Sequence, residues 1–369
     1  MKNFIILFVI FAWLVSFPVV LIRFLYGILI IPITKYFCIN YFLSSLILSS
    51  FFVGYVIFNL PVNYLIDKYG YKLIGISLLF FSILIILFTI IHNYIYAIIL
   101  MILIGAAATP TYSGSIKLLS NKIKNYRASA IGILNTTGPF ILLLSSFTLP
   151  LIIEKLSWQL IFIYFSLFTF ILSIPFFIIK NDSDKYNKKP ITKNAILAST
   201  VRFFAFWGMW GTSTYLFLFL QNLFHFNLIY AGLITATFAI GGLFSVFTIG
   251  FISDFFKKRK EISEIFLFLF FLILIIYPFL PIYIIWFSSF LLGFIAFGYK
   301  TPLDTYISEI TKGKEATSIG LANLISQPSS IITPIIIGYL ITFTDNIIFT
   351  FIFLSIGPLV AFLLISKLK

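Results

Sequence analysis

Charge is scarce in this 369-residue chain: Asp, Glu, Lys and Arg together make up 10% of it, against 61% hydrophobic residues. With a mean hydropathy of +1.12, such a chain cannot form the surface of a water-soluble globule. The single cysteine, Cys38, excludes an intrachain disulfide and any Cys-rich metal site. The two histidines, His92 and His225, fall in different connections and cannot supply the three or four converging ligands that zinc needs. Acids number 11, and none lies near the middle of an apolar run. Paired carboxylates, phosphate loops and polar stretches long enough for a soluble domain are also missing, which argues against an embedded enzyme and against ATP-driven transport by this chain alone. No metal and no cofactor is expected.

What is there is apolar length. A spanning helix needs about 20 apolar residues, and about twelve such runs can be counted, starting near Phe4, Tyr41, Lys72, Tyr94, Ala128, Trp158, Ala195, Leu228, Glu264, Ile282, Ala316 and Asn346. The first run exceeds a signal peptide's apolar core and lacks a small-residue cleavage pattern, so it reads as a retained helix with the mature chain starting at Met1. The 48 Phe reflect the codon bias of an AT-rich genome and are no evidence for an aromatic substrate.

The basic residues set an orientation. Of the 25 Lys and Arg, most fall in the termini and in the connections after spans two, four, six, eight and ten. Lys35 and Lys155 fall on the other side, and Arg23, Arg202 and Lys300 fall within spans. This asymmetry predicts cytoplasmic termini and basic loops, in an integral protein of the plasma (cytoplasmic) membrane. The net charge of +14 is then a topological signal with some attraction to anionic lipid, and no nucleic-acid partner is expected.

The second half repeats the first at an offset of about 188 residues. Ala128, Ile131, Gly132 and Asn135 match Ala316, Ile319, Gly320 and Asn323, while Asp67 matches Asp254 and Gly105 matches Gly293. The polar stretch between them, rich in Lys, Asn and Asp, reads as a linker. The expected organisation is an all-α polytopic protein with two pseudo-symmetric six-helix bundles, residues 1–180 and 195–369, joined by a cytoplasmic linker over 181–194.

After the second span the chain carries Asn63, Asp67, Lys68, Gly70 and Lys72, and after the eighth Gly250 and Asp254 followed by Lys257, Lys258, Arg259 and Lys260. These loops resemble the G-x-x-x-D-[RK]-x-G-[RK]-[RK] signature of the major facilitator superfamily, and the resemblance runs over nearly the whole chain. Asn63 stands where that signature has Gly, and Tyr71 where a base is usual. The family's Arg four residues before a span-four Gly is replaced by Met101, and its fifth-span antiporter pattern survives only as Gly138 and Pro139. The resemblance implies an alternating-access transporter working as a monomer, with spans one, four, seven and ten lining the cavity. It also implies a latch in which Asp67 faces a helix N-terminus of the other half or pairs with Arg127 or Lys72.

Ionisable groups at membrane depth are the functional candidates. Arg23 lies nine residues before Pro32, taken as the outer end of span one, and so about 13 Å deep. An Arg there can grip a carboxylate or phosphate bidentately. Lys300, in span ten, either contacts substrate or pairs with Asp304 one turn later, and Arg202 is expected to snorkel towards the nearby linker. Tyr26, Tyr112, Trp210, Asn135, Asn323 and Gln327 complete the candidate wall, and for each, ordinary helix packing is the alternative. Cationic side chains without a central acid favour a small organic anion, carboxylate in type, with or without a coupling ion. The alternatives left open are an exporter of hydrophobic or neutral compounds, drug-efflux-like, and a membrane sensor that does not transport.

Overall fold

The computed structural model describes residues 2–122, 133–153, 155–179, 193–310, 322–344 and 346–368, and these form helices with no strand among them. Among the described residues ten helices are long and apolar enough to cross a bilayer, and two bent pairs bring the candidate spans to as many as twelve. Span 1 is Ile6–Val15 with Phe17–Ile28, bent by 42°, followed by Ile30–Phe37, and span 2 is Tyr41–Ile57, which meets Ile30–Phe37 at 110°. Spans 3 to 12 are Tyr71–Ile90, Tyr94–Leu119, Ile133–Ile152, Trp158–Phe177, Lys193–Phe224, Leu228–Ser253, Arg259–Phe279, Ile282–Ile307, Ala322–Thr344 and Ile347–Ile365. The chain divides into two compact units, Met1–Ile141 with Leu151–Tyr186 and Leu142–Pro150 with Asn187–Lys369.

Pro32 does not end the first helical run as the sequence suggests. It sits in the first turn of the helix Ile30–Phe37, where a missing N–H breaks no helical hydrogen bond. The chain turns instead at Cys38, whose φ of 52° ends that helix. Arg23 is thus followed by about 20 Å of helical path before the turn.

The internal repeat is written into the backbone. Among the described residues four have positive φ, and they fall into two pairs at the repeat spacing: Cys38 with His225, and Gly70 with Lys257. The helix starts after the first pair repeat as well. Asn40 accepts a hydrogen bond from Leu43 N at 2.9 Å, and Asn227 accepts one from Tyr230 N at 2.8 Å, each satisfying an N–H that the first helical turn leaves open. Gly70, at φ 78° and ψ −159°, occupies a region open essentially to glycine alone. Lys257, at φ 54° and ψ 24°, bears the left-handed strain of an L-residue. Lys257→Gly is therefore expected to raise stability by about 0.5–1 kcal/mol and Gly70→Ala to lower it by about 1–3 kcal/mol. Thermal unfolding of the two variants in the same detergent checks the opposite signs.

Close packing follows small residues, because lipid tails are as apolar as leucine and give helices no hydrophobic reason to associate. A Cβ at Gly54 would land on the Ile102 carbonyl, and one at Gly105 on the Phe51 carbonyl, so spans 2 and 4 touch backbone to backbone. Gly241 against Phe290 and Gly293 against Phe238 repeat that contact between spans 8 and 10. The opposite faces stay greasy. Phe244, Phe247 and Phe251 form a stripe on span 8 with 56%, 62% and 71% of their surface exposed, the face that the acyl chains solvate.

Candidate functional site

Each unit holds a polar cluster within its spans. In the first, Arg23 on span 1 keeps 4% of its surface exposed, and its guanidinium carbon lies 4.2 Å from the centre of the Phe52 ring on span 2. This is a cation–π contact in a water-poor setting. One helical turn from Phe52, Tyr55 is near enough to Arg23 and to Tyr112 to interact electrostatically with both. The Tyr112 hydroxyl on span 4 donates to Asn135 Oδ1 at 2.8 Å, at the start of span 5. Arg23, Tyr55, Tyr112 and Asn135 thus form a polar line across four spans.

Tyr26, Thr109 and Ser113 of this unit are engaged elsewhere. Tyr26 is fully buried, and its hydroxyl donates to the Ser44 carbonyl at 2.9 Å while sharing a 3.1 Å contact with Ser44 Oγ. It ties span 1 to span 2. Thr109 donates to the carbonyls of Gly105 and Tyr55, and Ser113 Oγ to the Thr109 carbonyl. Such back-bonds satisfy hydroxyls within the helix bundle.

The second unit's cluster is ionic. Arg202 on span 7 does not snorkel. Its side chain is 7% exposed, and its Nε lies 3.0 Å from Asp304 Oδ1 on span 10. Its NH1 donates to Asn323 Oδ1 at 2.8 Å on span 11, and its guanidinium carbon lies 4.7 Å from the Phe206 ring centre. Lys300 Nζ is 3.7 Å from Asp304 Oδ2, with side-chain exposures of 15% and 23% respectively. Asp304 therefore forms an ion pair with each cation, the shorter with Arg202 and the longer with Lys300. Trp210, half-buried, packs its ring 5.6 Å from Phe206, which puts Arg202, Phe206 and Trp210 on one face at successive turns. Gln327 Oε1 accepts from Ser330 Oγ at 3.3 Å and is not among the contacts of the ionic cluster.

At the repeat spacing Tyr112 corresponds to Lys300 and Asn135 to Asn323. In the first unit the pair bonds directly. In the second, Asn323 accepts from Arg202, and Lys300 shares the Asp304 carboxylate with Arg202 at the longer distance. The sequence reading assigned Arg202 to the linker because of its position and so missed this pairing. Two signals pointed to it: the Arg202, Phe206, Trp210 stripe, and the need of Asp304, a carboxylate in an apolar run, for a cation.

At the basic-loop end, Arg259 Nε lies 2.6 Å from Glu309 Oε1, and its NH1 is 3.4 Å from Ser253 Oγ. This fastens the second signature loop to the end of span 10. Lys260 donates to the carbonyls of Ser366 and Leu368 beyond span 12. In the first unit Lys117 donates to the Ile66 carbonyl at 3.3 Å, while Lys68 and Lys72 are exposed. Arg127 and the side chains of Asp67 and Asp254 lie outside the described residues.

The comparisons with known proteins agree with this architecture. The chain superimposes on the crystal structure of a bacterial homologue of the human lysosomal transporter Spinster in an inward-facing, unoccupied conformation. The TM-score is 0.78 at 14% identity, covering 100% of this chain and 98% of that one. The same bacterial homologue in an inward-facing, occupied conformation gives a TM-score of 0.73 at 14% identity, covering 100% and 97%. No curated protein matches the sequence. The sequence profile of the Major Facilitator Superfamily matches residues 12–334. This polytopic membrane protein, a transporter and not an enzyme, belongs to the Major Facilitator Superfamily.

Proposed function

We propose that the protein is a secondary transporter of a small organic anion, carboxylate in type, that works by alternating access of its two repeats and sits in the plasma membrane with both termini in the cytoplasm. One observation carries the anion assignment: among the described residues the buried charged side chains are two cations, Arg23 and Arg202, and no carboxylate is buried with them. A bound anion offsets the charge that burial makes costly. Arg23 anchors the substrate in the first unit, with Tyr55, Tyr112 and Asn135 as its polar surroundings. Asp67 and Asp254, in the paired signature loops, act as latches that open and close with the cycle.

The contact of Arg23 with Phe52 and its burial favour a second reading, in which Arg23 is a packing residue and the solute is hydrophobic or neutral. Uptake into proteoliposomes separates the two, with radiolabelled succinate and benzoate set against benzamide and benzylamine. Wild type is expected to take up at least one of the two anions, and Arg23→Gln to lose at least about tenfold of that rate while unfolding within a few degrees of wild type. Flux of benzamide or benzylamine that survives in Arg23→Gln, with no anion flux, would establish the second reading.

A further inference from the structure

The ionic cluster of the second unit is asymmetric in a way that the anion assignment does not require. Arg202 pairs ionically with Asp304, Nε to Oδ1 at 3.0 Å, and donates through NH1 to Asn323 Oδ1 at 2.8 Å, so the guanidinium links carboxylate and amide across spans 7, 10 and 11. Lys300 stands beside this link. Its ammonium lies 3.7 Å from Asp304 Oδ2, beyond hydrogen-bond distance, and its side chain retains more exposure than that of Arg202, 15% against 7%. A Lys carries three donors, and the contact of Lys300 is the longer of the two ion pairs that Asp304 makes. The cluster as a whole has two cations and one anion, and the tighter pair leaves the surplus on Lys300.

We infer that Asp304, tethered by Arg202, is a built-in counter-ion that neutralises Lys300 in the empty carrier, and that an incoming oxyanion, carboxylate or phosphate in chemistry, takes Lys300 from it. The second unit thus has its own oxyanion subsite, with Lys300 as the ligand and Arg202 and Asn323 as positioning residues. Little has to break for the anion to enter, since the contact it replaces is already longer than a hydrogen bond. The residual negative charge of Asp304 then weakens the bound anion by repulsion at close range in a low-dielectric setting, which keeps the site from holding its cargo too tightly to release. This deepens the anion-transport reading and rests on it for the identity of the cargo, but binding of an oxyanion at Lys300 can be measured without transport.

The test is equilibrium binding to the purified full-length protein, read by thermal stabilisation against succinate, benzoate, inorganic phosphate and sulfate, with potassium chloride as the ionic-strength control. Asp304→Asn, which keeps a hydrogen-bond acceptor for Arg202, is expected to bind the preferred oxyanion at least about tenfold more tightly than wild type. Lys300→Met, which removes a group that makes no short bond, is expected to fold normally and to bind the same anion at least about tenfold more weakly. In Lys300→Met/Asp304→Asn the gain should vanish. Tighter phosphate or sulfate binding in Asp304→Asn, without uptake of any organic anion by wild type, would leave the subsite standing and sink the organic-anion assignment. Uptake of an organic anion with unchanged or weaker binding in Asp304→Asn would overturn the subsite alone. If Asp304→Asn does not fold, undiminished anion binding by Lys300→Met overturns the inference, and weakened binding supports it.

Discussion

Gly105→Val and Gly293→Val are each expected to leave little folded protein. The reason is geometric. At both positions the first carbon of any side chain falls on a carbonyl oxygen of the facing span, that of Phe51 for Gly105 and that of Phe238 for Gly293. No rotamer change relieves a clash with backbone, so the two helices must move apart and give up the dispersion contacts along their whole crossing. Overpacking an ordinary core costs about 1–3 kcal/mol, and a separation of spans should exceed that range. The expected loss is about 3 kcal/mol or more, equivalent to about 4 °C or more in Tm for a chain of this length. Gly250→Ala is the matched control, because its new methyl would meet only the Thr301 Cγ2 at 3.2 Å, a side-chain atom that can shift. Thermal unfolding and gel filtration of the three variants check the ranking, and a Gly105→Val protein as stable as Gly250→Ala would mean that spans 2 and 4 do not approach this closely.

Arg202→Leu should be nearly as damaging, for an electrostatic reason. The substitution removes the 3.0 Å partner of Asp304 and the 2.8 Å donor to Asn323 in one step. Losing one member of a buried ion pair costs about 3–5 kcal/mol. Lys300 can move in to recover part of this, so about 3 kcal/mol is expected. The combination Arg202→Leu, Lys300→Leu and Asp304→Leu should restore stability to within about 1 kcal/mol of wild type, since apolar replacement of a whole buried ionic group is often neutral. Oxyanion binding should not return with it. Unfolding temperature and anion binding measured on the same samples separate the two roles: recovery of both would show that the cluster is only a staple between spans 7, 10 and 11.

Much of the architecture was legible because it depends on local composition. Apolar runs of sufficient length mark the spans wherever they occur, since a backbone in hydrocarbon must satisfy its own hydrogen bonds. The repeat was legible in part. Gly105 and Gly293 were matched as letters, yet their shared purpose, a backbone crossing, appears only when Phe51 and Phe238 are seen opposite them. The pairing of Cys38 with His225 could not have been guessed, because nothing in either residue type announces a left-handed turn. The turn is imposed by the helix end and the Asn cap that follow.

The candidate site divides along the same line. Arg23, Lys300 and Asp304 stood out as ionisable residues in apolar surroundings, a property of each residue and its neighbours in the chain. Tyr26 and Tyr112 looked alike in the sequence, but one hydroxyl is spent on Ser44 and the other reaches Asn135. Arg202 was assigned to solvent by its nearness to a polar stretch and is instead buried against a residue on span 10. By itself the sequence determined that this chain lives in a bilayer, how many times it can cross, that its halves are copies, and that its buried charge is mostly positive. Only the tertiary structure decided which of those charges neutralise one another, because hydropathy is summed along the chain whereas Coulomb energy is set by distances of a few ångströms between residues as far apart as Arg202 and Asp304.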